Sequence, residues 1–190
     1  MPTPAYPVHT ARLTLRPFVA ADLDDVRAYD SRADVARYLY WEPPDLAQSR
    51  EALERNILRV GLAQEGDGLV LAMALRETGR VVGQVALGYA SREHSQGEIG
   101  FVVNPEYHGR GLAGEAAGAM LRLAFTAYGL HRVFGRCDAR NAASARLMQR
   151  LGMRQEAHLV ESEFVKGAWT DELVYAMLRR EWVERSAAST

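Results

Sequence analysis

Cysteine is almost absent from this chain, since Cys137 is the only one among 190 residues. A single thiol cannot form a disulfide within the chain, and the count argues against a zinc site built from paired cysteines. Chains without disulfides are typical of reducing compartments, so we expect a cytoplasmic protein with no bound metal. A nucleophilic Cys137 is a minor alternative, because the sequence offers it no paired histidine and a free cysteine is commonly a small core residue.

The sequence also lacks an excess of charge and any long apolar run. Its 24 acidic and 23 basic side chains give a formal net charge of −1, which provides no basic field to gather nucleic acid or anionic lipid. No stretch approaches the roughly 20 apolar residues of a membrane span, and residues 1–7 lack the pattern of a signal peptide. We therefore expect one domain over 1–190, with flexible ends at 1–9 and 184–190.

The hydrophobic periodicity changes along the chain and predicts a mixed fold. The predicted strands are 12–16, 69–75, 81–87, 98–103, 132–137, 155–165 and 170–178. The predicted helices are 20–29, 33–39, 46–61, 111–128 and 142–151. Three consecutive strands without an intervening helix favour antiparallel pairing. The order predicts an α+β fold with a mixed, mostly antiparallel sheet of about seven strands flanked by helices.

A glycine-rich segment follows the third of these antiparallel strands and opens a helix. Small residues cluster at Gly109, Gly111, Ala113 and Gly114. Backbone N–H groups at a helix start have no partner within the helix, and the helix dipole makes that end positive. Small residues let a pyrophosphate approach these groups, and Arg110 adds a cation nearby. The segment therefore predicts a phosphate site, while a loop that uses glycine only for tight packing is the alternative interpretation.

A dinucleotide site is the second chemical interpretation of the same glycines. Gly109, Gly111 and Gly114 spell G-x-G-x-x-G, and Asp138 follows near the distance of a ribose-binding acid. In a dinucleotide-binding fold, however, the glycine turn follows its strand almost directly. Here residues 104–108 intervene, and three apparently antiparallel strands come first. An NAD-dependent oxidoreductase is therefore the weaker alternative.

Two motifs resemble those of GNAT acetyltransferases. His-Gly-Arg-Gly-Leu-Ala at 108–113 is similar to the acetyl-CoA-binding pattern [Q/R]-x-x-G-x-[G/A], with His108 in place of Gln or Arg. Residues 141–153 resemble the helix N-x-x-S/A-x-x-L-x-x-x-L-G-F, with Met153 in place of Phe. The segments 13–18, 38–44 and 166–182 are similar to the branch that contains the ribosomal-protein N-terminal (alanine or serine) acetyltransferases.

The resemblance implies a fold in which the parallel strands 98–103 and 132–137 splay apart. The pantetheine of acetyl-CoA would lie in that gap, and its pyrophosphate would lie on the N–H groups of 109–114. The implied cofactor-binding residues are Phe101, Val102, Val103, His108, Gly109, Arg110, Gly111, Leu112, Ala113, Gly114, Asn141 and Ser144.

Acetyl transfer to an amine requires an uncharged amine and a proton for the leaving thiolate. Glu98 begins the strand that leads to the glycine loop, where the family often has an acid, so it is our first candidate base. A solvated strand-edge glutamate is the other interpretation, and His94 is an alternative base. Many family members carry a tyrosine acid on the later helix, but that position is Met148 here. Ser144, one turn earlier, could donate instead or could simply be a helix-start serine.

The amine acceptor is the part that the sequence determines least. Trp41 and Glu42 are candidates to line its site because an acidic side chain attracts a cationic amine; a solvated loop is the alternative. An α-amine has a pKa of about 8, against about 10.4 for lysine, and so needs only a mild base. We expect a protein or peptide N-terminal α-amine. The alternatives are a small-molecule or antibiotic amine and a non-catalytic CoA-binding domain, and a homodimer is common in this branch.

Overall fold

Eight strands form one mixed sheet in the computed structural model, which describes residues 5–188. They are β1 (Val8–His9), β2 (Leu13–Arg16), β3 (Gly68–Leu75), β4 (Val81–Ser91), β5 (Gln96–Val103), β6 (Arg132–Asp138), β7 (Arg154–Val165) and β8 (Ala168–Leu178). Their order across the sheet is β1-β2-β3-β4-β5-β6-β8-β7. Only β5 and β6 pair in parallel; the other neighbours of the described sheet are antiparallel.

Six α-helices flank the sheet within the described residues. They are α1 (Leu23–Asp30), α2 (Ala33–Ala36), α3 (Leu46–Ile57), α4 (Leu112–Arg122), α5 (Ala142–Arg150) and α6 (Arg179–Ala188). A 3-10 turn precedes α1 at Ala20–Asp22, a second lies at Pro105–Tyr107, and a π-helical turn at Leu123–Ala127 extends α4. A capping box begins α3: the Gln48 N–H donates to Oδ1 of Asp45 and the Asp45 N–H donates to Oε1 of Gln48, each at 2.9 Å.

The sheet is covered on both faces, and β3 shows why. Its residues Leu69, Leu71 and Met73 belong to one apolar core, which also holds the buried face of α4. The alternating residues Val70, Ala72 and Ala74 belong to a second core, with side chains from α1 and α3. A strand buried on both faces has no polar side to alternate with. This accounts for the continuous apolar run at 69–75.

The parallel pair β5–β6 is short and forms a fork. The two strands pair only at Gln96↔Arg132, Gly97↔Val133 and Glu98↔Phe134. Beyond this point β5 continues to Val103 beside β4, and β6 continues to Asp138 beside β8. The two strands therefore separate after Glu98, as the resemblance implied.

Met148 of α5 packs at the floor of this fork. A Cβ atom added to Gly135 would lie 2.8 Å from the sulfur of Met148 and 3.3 Å from Cγ2 of Ile99. Met148 is 1% exposed. The thioether thus occupies the space that a side chain at position 135 would need, and Gly135 makes the close approach of α5 to β6 possible.

The predicted elements and the structure differ mainly near the chain ends. The sheet has one strand more than the predicted seven, because Val8 and His9 pair with Leu15 and Thr14 of β2. Residues 179–188, which the periodicity did not mark, form α6, and α3 ends at Ile57 rather than at 61. Positions 1–4 and 189–190 of the two predicted flexible ends lie outside the described residues. None of the described helices is long and apolar enough to cross a membrane.

A substitution at Gly83 can test how closely β4 and β5 approach each other. A Cβ atom at this position would lie 2.3 Å from the carbonyl oxygen of Val102, whereas at Gly100 nothing lies within 4 Å. We expect Gly83→Ala to lower the free energy of unfolding by about 1–3 kcal/mol, because a backbone carbonyl cannot move aside cheaply. Gly100→Ala is the matched control and should change stability much less. Urea unfolding of both variants measures the difference, and equal stabilities would contradict the close approach.

Candidate active site

A cleft of about 990 Å³ opens where the fork meets the glycine loop. Four parts of the chain line it: β5 beyond the fork, the loop into α4 with the start of that helix, one side of α5 along its length, and the region of α2. The lining residues are Asp34, Val35, Tyr38, Leu39, Phe101, Val102, Val103, Pro105, Tyr107, His108, Gly109, Gly111, Leu112, Ala113, Gly114, Asn141, Ala143, Ser144, Leu147, Arg150 and Leu151. Most of the cofactor-binding residues expected from sequence therefore share one cavity.

The glycine loop presents bare backbone to this cleft. Gly109 and Gly111 have φ angles of 74° and 75°, in the left-handed region that side chains disfavour, and Gly111 is the N-cap of α4. A Cβ atom at Gly109 would meet nothing within 4 Å. The first N–H groups of α4 have no partners within the helix and carry the positive end of its dipole. This arrangement suits a phosphate group.

Side chains of the preceding turn hold the loop in place. Oδ1 of Asn104, which is 4% exposed, accepts the N–H of Glu106 at 3.1 Å and so caps the 3-10 turn. Nε2 of His108 lies 2.9 Å from the carbonyl oxygen of Val103. His108 therefore bridges the end of β5 to the start of the loop.

Arg110 is the loop residue that the structure does not bring to the cleft wall. Its guanidinium lies over the ring of Tyr107, 5.0 Å from the ring centroid, and its Nη2 donates to the carbonyl of Glu106 at 3.2 Å. The side chain is exposed and lies outside the set of lining residues. Its predicted role as a phosphate-binding cation stays a prediction.

The start of α5 forms the opposite wall. Oδ1 of Asn141 accepts the N–H of Ser144 at 3.1 Å, so Asn141 caps the start of α5. Asn141 and Ser144 both line the cleft. Met148, one turn further on, is buried beneath the cleft, and its thioether has no proton to give.

Glu98 lies at the last paired position of the fork and contacts Arg136 across it. Nε and Nη2 of Arg136 donate to the two carboxylate oxygens of Glu98 at 2.9 and 3.5 Å. The Glu98 side chain is 36% exposed and is not among the residues that line the cleft. Glu98 therefore lies at the closed end of the gap, held by an ion pair that spans β5 and β6.

Arg136 also contacts two further carboxylates from the terminal hairpin. Its Nη1 lies 3.3 Å from Glu172 and 3.9 Å from Glu163. The Tyr40 hydroxyl lies 2.7 Å from a carboxylate oxygen of Glu163 and 3.4 Å from one of Glu172. We call the three carboxylates of Glu98, Glu163 and Glu172, with Arg136 and Tyr40, the acidic cluster. Three carboxylates meet one guanidinium, which leaves a formal excess of two negative charges.

The surroundings of Glu172 favour the protonated form of its carboxyl group. Burial raises the pKa of Glu172, which is 5% exposed, and the neighbouring carboxylates of Glu163 and Glu98 add to the effect, while Arg136 opposes it. The hydrogen bond to Glu98, followed by the charges of Glu98 and Glu172, raises the pKa of Arg136 despite partial burial. Glu172 therefore has a raised pKa, and carboxylates that outnumber the guanidinium favour a cationic ligand.

The predicted acceptor residues Trp41 and Glu42 lie outside the cleft wall, beside the terminal hairpin, and their role stays a prediction. Trp41 is 47% exposed, and the carboxylate of Glu42 lies 3.6 Å from Nζ of Lys166 on the terminal hairpin. Neither lines the cleft; Asp34, Val35, Tyr38 and Leu39 do so instead. Sequence reasoning missed these four because they lie in a short helix and turn with no motif of their own. His94 lies in the β4–β5 turn, outside the cleft wall.

Cys137 lacks the environment of a nucleophile. Burial, followed by the charges of Asp138 and Glu172, raises the pKa of its thiol to about 11. The thiolate is the reactive form, so this cysteine is almost entirely unreactive near neutral pH.

The dinucleotide interpretation fails on the geometry of the sheet. The glycine loop follows a strand that has an antiparallel neighbour on one side and is forked on the other. A 3-10 turn separates the strand from the glycines. A doubly wound parallel sheet has neither feature.

Fold and site together define a class: a forked parallel pair leading through a glycine loop to a helix start is the arrangement of the GNAT acetyltransferases. The chain belongs to this family, because the family model described as an acetyltransferase (GNAT) domain matches residues 12–154. It is accordingly an acetyl-CoA-dependent N-acetyltransferase.

Relatives and solved structures agree with this assignment. Uncharacterized N-acetyltransferase YnaD of Bacillus subtilis (strain 168) is 31% identical over 176 residues, which cover 92% of this chain and 98% of YnaD. The crystal structure of a GNAT-family acetyltransferase from Bacillus anthracis superposes with a TM-score of 0.83 at 30% identity, covering 92% of this chain and 99% of that one. The fold confirms the predicted class of a mixed sheet with one parallel pair.

Two further proteins carry acceptors in their names. The [Ribosomal protein uS5]-alanine N-acetyltransferase of Escherichia coli (strain K12) is 26% identical over 84 residues, 44% of this chain and 43% of that protein. Spermidine N-acetyltransferase from Vibrio cholerae, solved in complex with CoA and spermine, shares the fold with a TM-score of 0.76 at 22% identity, covering 90% of this chain and 98% of that one.

Gly111 provides a test of the phosphate site. We expect Gly111→Glu to weaken CoA binding by about 100-fold or more, because a carboxylate would meet a phosphate of the same sign. Gly79→Glu is the matched control: its φ is also 75° and its Cβ would meet nothing within 4 Å, but it lies in the β3–β4 turn. Isothermal titration with CoA measures both. If Gly111→Glu bound CoA as wild type does, the pyrophosphate would not lie on this loop.

Proposed function

We propose that this protein transfers acetyl from acetyl-CoA to the N-terminal α-amine of a protein or peptide. The observation that carries the proposal is the meeting of the strand fork and the glycine loop in one cleft, with Glu98 at the closed end of the fork. Acetyl-CoA supplies an acetyl group activated as a thioester. The protein residues then have to bind the cosubstrate, orient the amine and move its proton.

The cleft fits the cosubstrate in shape and chemistry. Beyond Glu98 the facing edges of β5 and β6 no longer pair with each other, so backbone groups of Phe101, Val102 and Val103 are candidates to bind pantetheine. The N–H groups from Gly109 to Gly114 are the candidates for the pyrophosphate, because the left-handed glycines leave them uncovered. Asn141 and Ser144 face them from α5.

Glu98 is our candidate for the base that takes the proton of the amine. Arg136 fixes the direction of the Glu98 carboxylate at the end of the fork, where a thioester lying in the gap would meet an incoming amine. An α-amine with a pKa of about 8 is partly uncharged near neutral pH, so a carboxylate acting directly or through water is sufficient. Ser144 is our candidate for the group that returns a proton to the leaving thiolate.

The acidic cluster supports an acceptor that is a cation before it reacts. Its carboxylates lie on β5, where Glu98 ends the fork, and on the two strands of the terminal hairpin. An α-ammonium group would be drawn toward it and could pass its proton to a carboxylate. The same charge favours a second candidate, a polyamine, because two of its ammonium groups would balance the two excess negative charges of the cluster.

The role of Glu98 can be separated from cosubstrate binding. We expect Glu98→Gln to lower kcat by about 100-fold or more, the usual effect of losing a general base, and to change the KM for acetyl-CoA by less than about twofold. Glu93→Gln, which removes an exposed carboxylate from the β4–β5 turn, is the control. Unchanged turnover of Glu98→Gln across the pH range would remove Glu98 from the mechanism.

The acceptor can be identified by measuring CoA release from acetyl-CoA over a panel of amines. The panel contains peptides with a free or a blocked N-terminus, free lysine side chains, and spermidine and spermine. Release with free N-termini alone supports the proposal. Release with the polyamines alone selects the second candidate, and release with none of them, despite CoA binding, favours a non-catalytic CoA-binding domain.

A further inference from the structure

The turn between β1 and β2 is fastened to the first turn of α4. The Glu115 carboxylate accepts hydrogen bonds from the Thr10 hydroxyl at 2.5 Å, from the Arg12 backbone N–H at 2.7 Å and from Nε of Arg12 at 2.8 Å. Nη2 of Arg12 also lies 2.8 Å from Oε2 of Glu115, so two nitrogens of the guanidinium contact the same carboxylate oxygen. We call Thr10, Arg12 and Glu115 the clasp.

The clasp reaches the glycine loop through one peptide group. Nη1 of Arg12 donates to the carbonyl oxygen of Arg110 at 2.6 Å. A trans peptide is planar, and its C=O and N–H point in opposite directions. The N–H in the same plane belongs to Gly111, which lines the cleft. Holding the carbonyl of Arg110 on the clasp side therefore directs the N–H of Gly111 to the opposite side.

The flexibility of glycine at this peptide makes such a restraint useful. Gly111 has no side chain to fix its conformation, and its left-handed φ is one of several that glycine adopts. Gly109, two residues before, is equally left-handed and has open space where a Cβ would lie. The peptide between Arg110 and Gly111 could rotate if nothing held its carbonyl.

Glu115 in turn holds Arg12 in place. Its side chain is 15% exposed, against 51% for Arg12. Burial opposes ionisation of Glu115, but the hydrogen bonds from Thr10 and Arg12 outweigh it and hold the pKa of the carboxyl below its usual range. The carboxylate is thus charged at neutral pH and cancels the charge of Arg12 next to the loop.

We propose that Arg12 is a positioning residue for acetyl-CoA: it orients the peptide between Arg110 and Gly111 so that the Gly111 N–H faces the cosubstrate phosphates, and Glu115 orients Arg12. The inference rests on the placement of the phosphates over the glycine loop in the proposed function. It gives a role to the described residues before β2, from 5 to 12, none of which lines the cleft.

A simpler role for Arg12 makes the opposite prediction for one variant. If Arg12 only attracted phosphate by its charge, Arg12→Gln would weaken CoA binding, whereas Glu115→Gln would strengthen it by removing a nearby negative charge. If the clasp positions the loop, both variants weaken binding. The sign of the Glu115→Gln effect therefore separates the two roles.

The experiment measures the CoA dissociation constant by isothermal titration for the wild type, Arg12→Gln, Glu115→Gln and a matched control, Arg76→Gln. Arg76, which follows β3, donates to the carbonyls of Thr10 and Ala11 at 3.1 and 3.4 Å, so its substitution removes a cation that contacts the β1–β2 turn rather than the glycine loop. We expect about tenfold weaker binding for both clasp variants, as for the loss of one charge-assisted hydrogen bond, and less than about twofold for the control.

Steady-state kinetics distinguishes positioning from a general loss of structure. The KM for acetyl-CoA should rise about tenfold, while kcat and the KM for the amine stay within about twofold. If Arg12→Gln does not fold, Arg12→Lys keeps the charge but has one nitrogen in place of the three that contact Glu115 and the carbonyl of Arg110, and it should show the same rise. Tighter binding by Glu115→Gln, or unchanged binding by both variants, would overturn the inference. Failure of the wild type to bind CoA would instead contradict the proposed function.

Discussion

The rest of the site depends on the early end of pairing between β5 and β6. Buried backbone groups need partners, and a sheet normally supplies them along the whole strand. Here the two strands share three residue pairs, and beyond these pairs their facing edges no longer hydrogen-bond to each other. The separation creates a slot between two strands whose outer edges are still paired, so the slot is rigid on both sides while its inner edges remain free to bind a ligand.

Several side chains support the slot between β5 and β6, some at its floor and others at its closed end. Gly135 and Met148 allow α5 to approach the floor of the slot, and Ile99 completes the contact. Arg136 and Glu98 connect the two strands by an ion pair at the point where backbone hydrogen bonds cease. The end of β5 and the glycine loop line one cavity, so the groups proposed to bind the arm and the phosphates of the cosubstrate face the same space.

Much of the fold could be predicted from periodicity because burial imposes it residue by residue. The doubly buried strand at 69–75 and the amphipathic helix from Leu112 could be predicted for that reason. Two elements could not: β1 has only two residues, and α6 is polar around its circumference, with Trp182 packing on Phe125 at 5.8 Å as its main aromatic contact. A short or polar element leaves no periodic signal.

The candidate site divides in the same way. The loop and the start of α5 could be predicted because each is a contiguous motif, and both line the cleft. The acidic cluster could not, since Glu98, Arg136, Glu163 and Glu172 come from four strands whose order in the sheet differs from their order in the chain. Tyr38 and its neighbours line the cleft but carry no motif, so they could not be predicted, and the acceptor role of Trp41 and Glu42 stays a prediction. The fork itself was implied by the family resemblance rather than by composition.

The clasp joins parts of the chain that are far apart in sequence, with 98 positions between Arg12 and Arg110 and 103 between Arg12 and Glu115. Contacts of such separation close a large loop, and forming them costs chain entropy. During synthesis the segment around Arg12 leaves the ribosome well before residues 110–115 exist. The glycine loop therefore gains its contact with Arg12 only when the first and middle thirds of the chain have met, and a ligand that binds only the completed fold favours it over partly folded states by mass action.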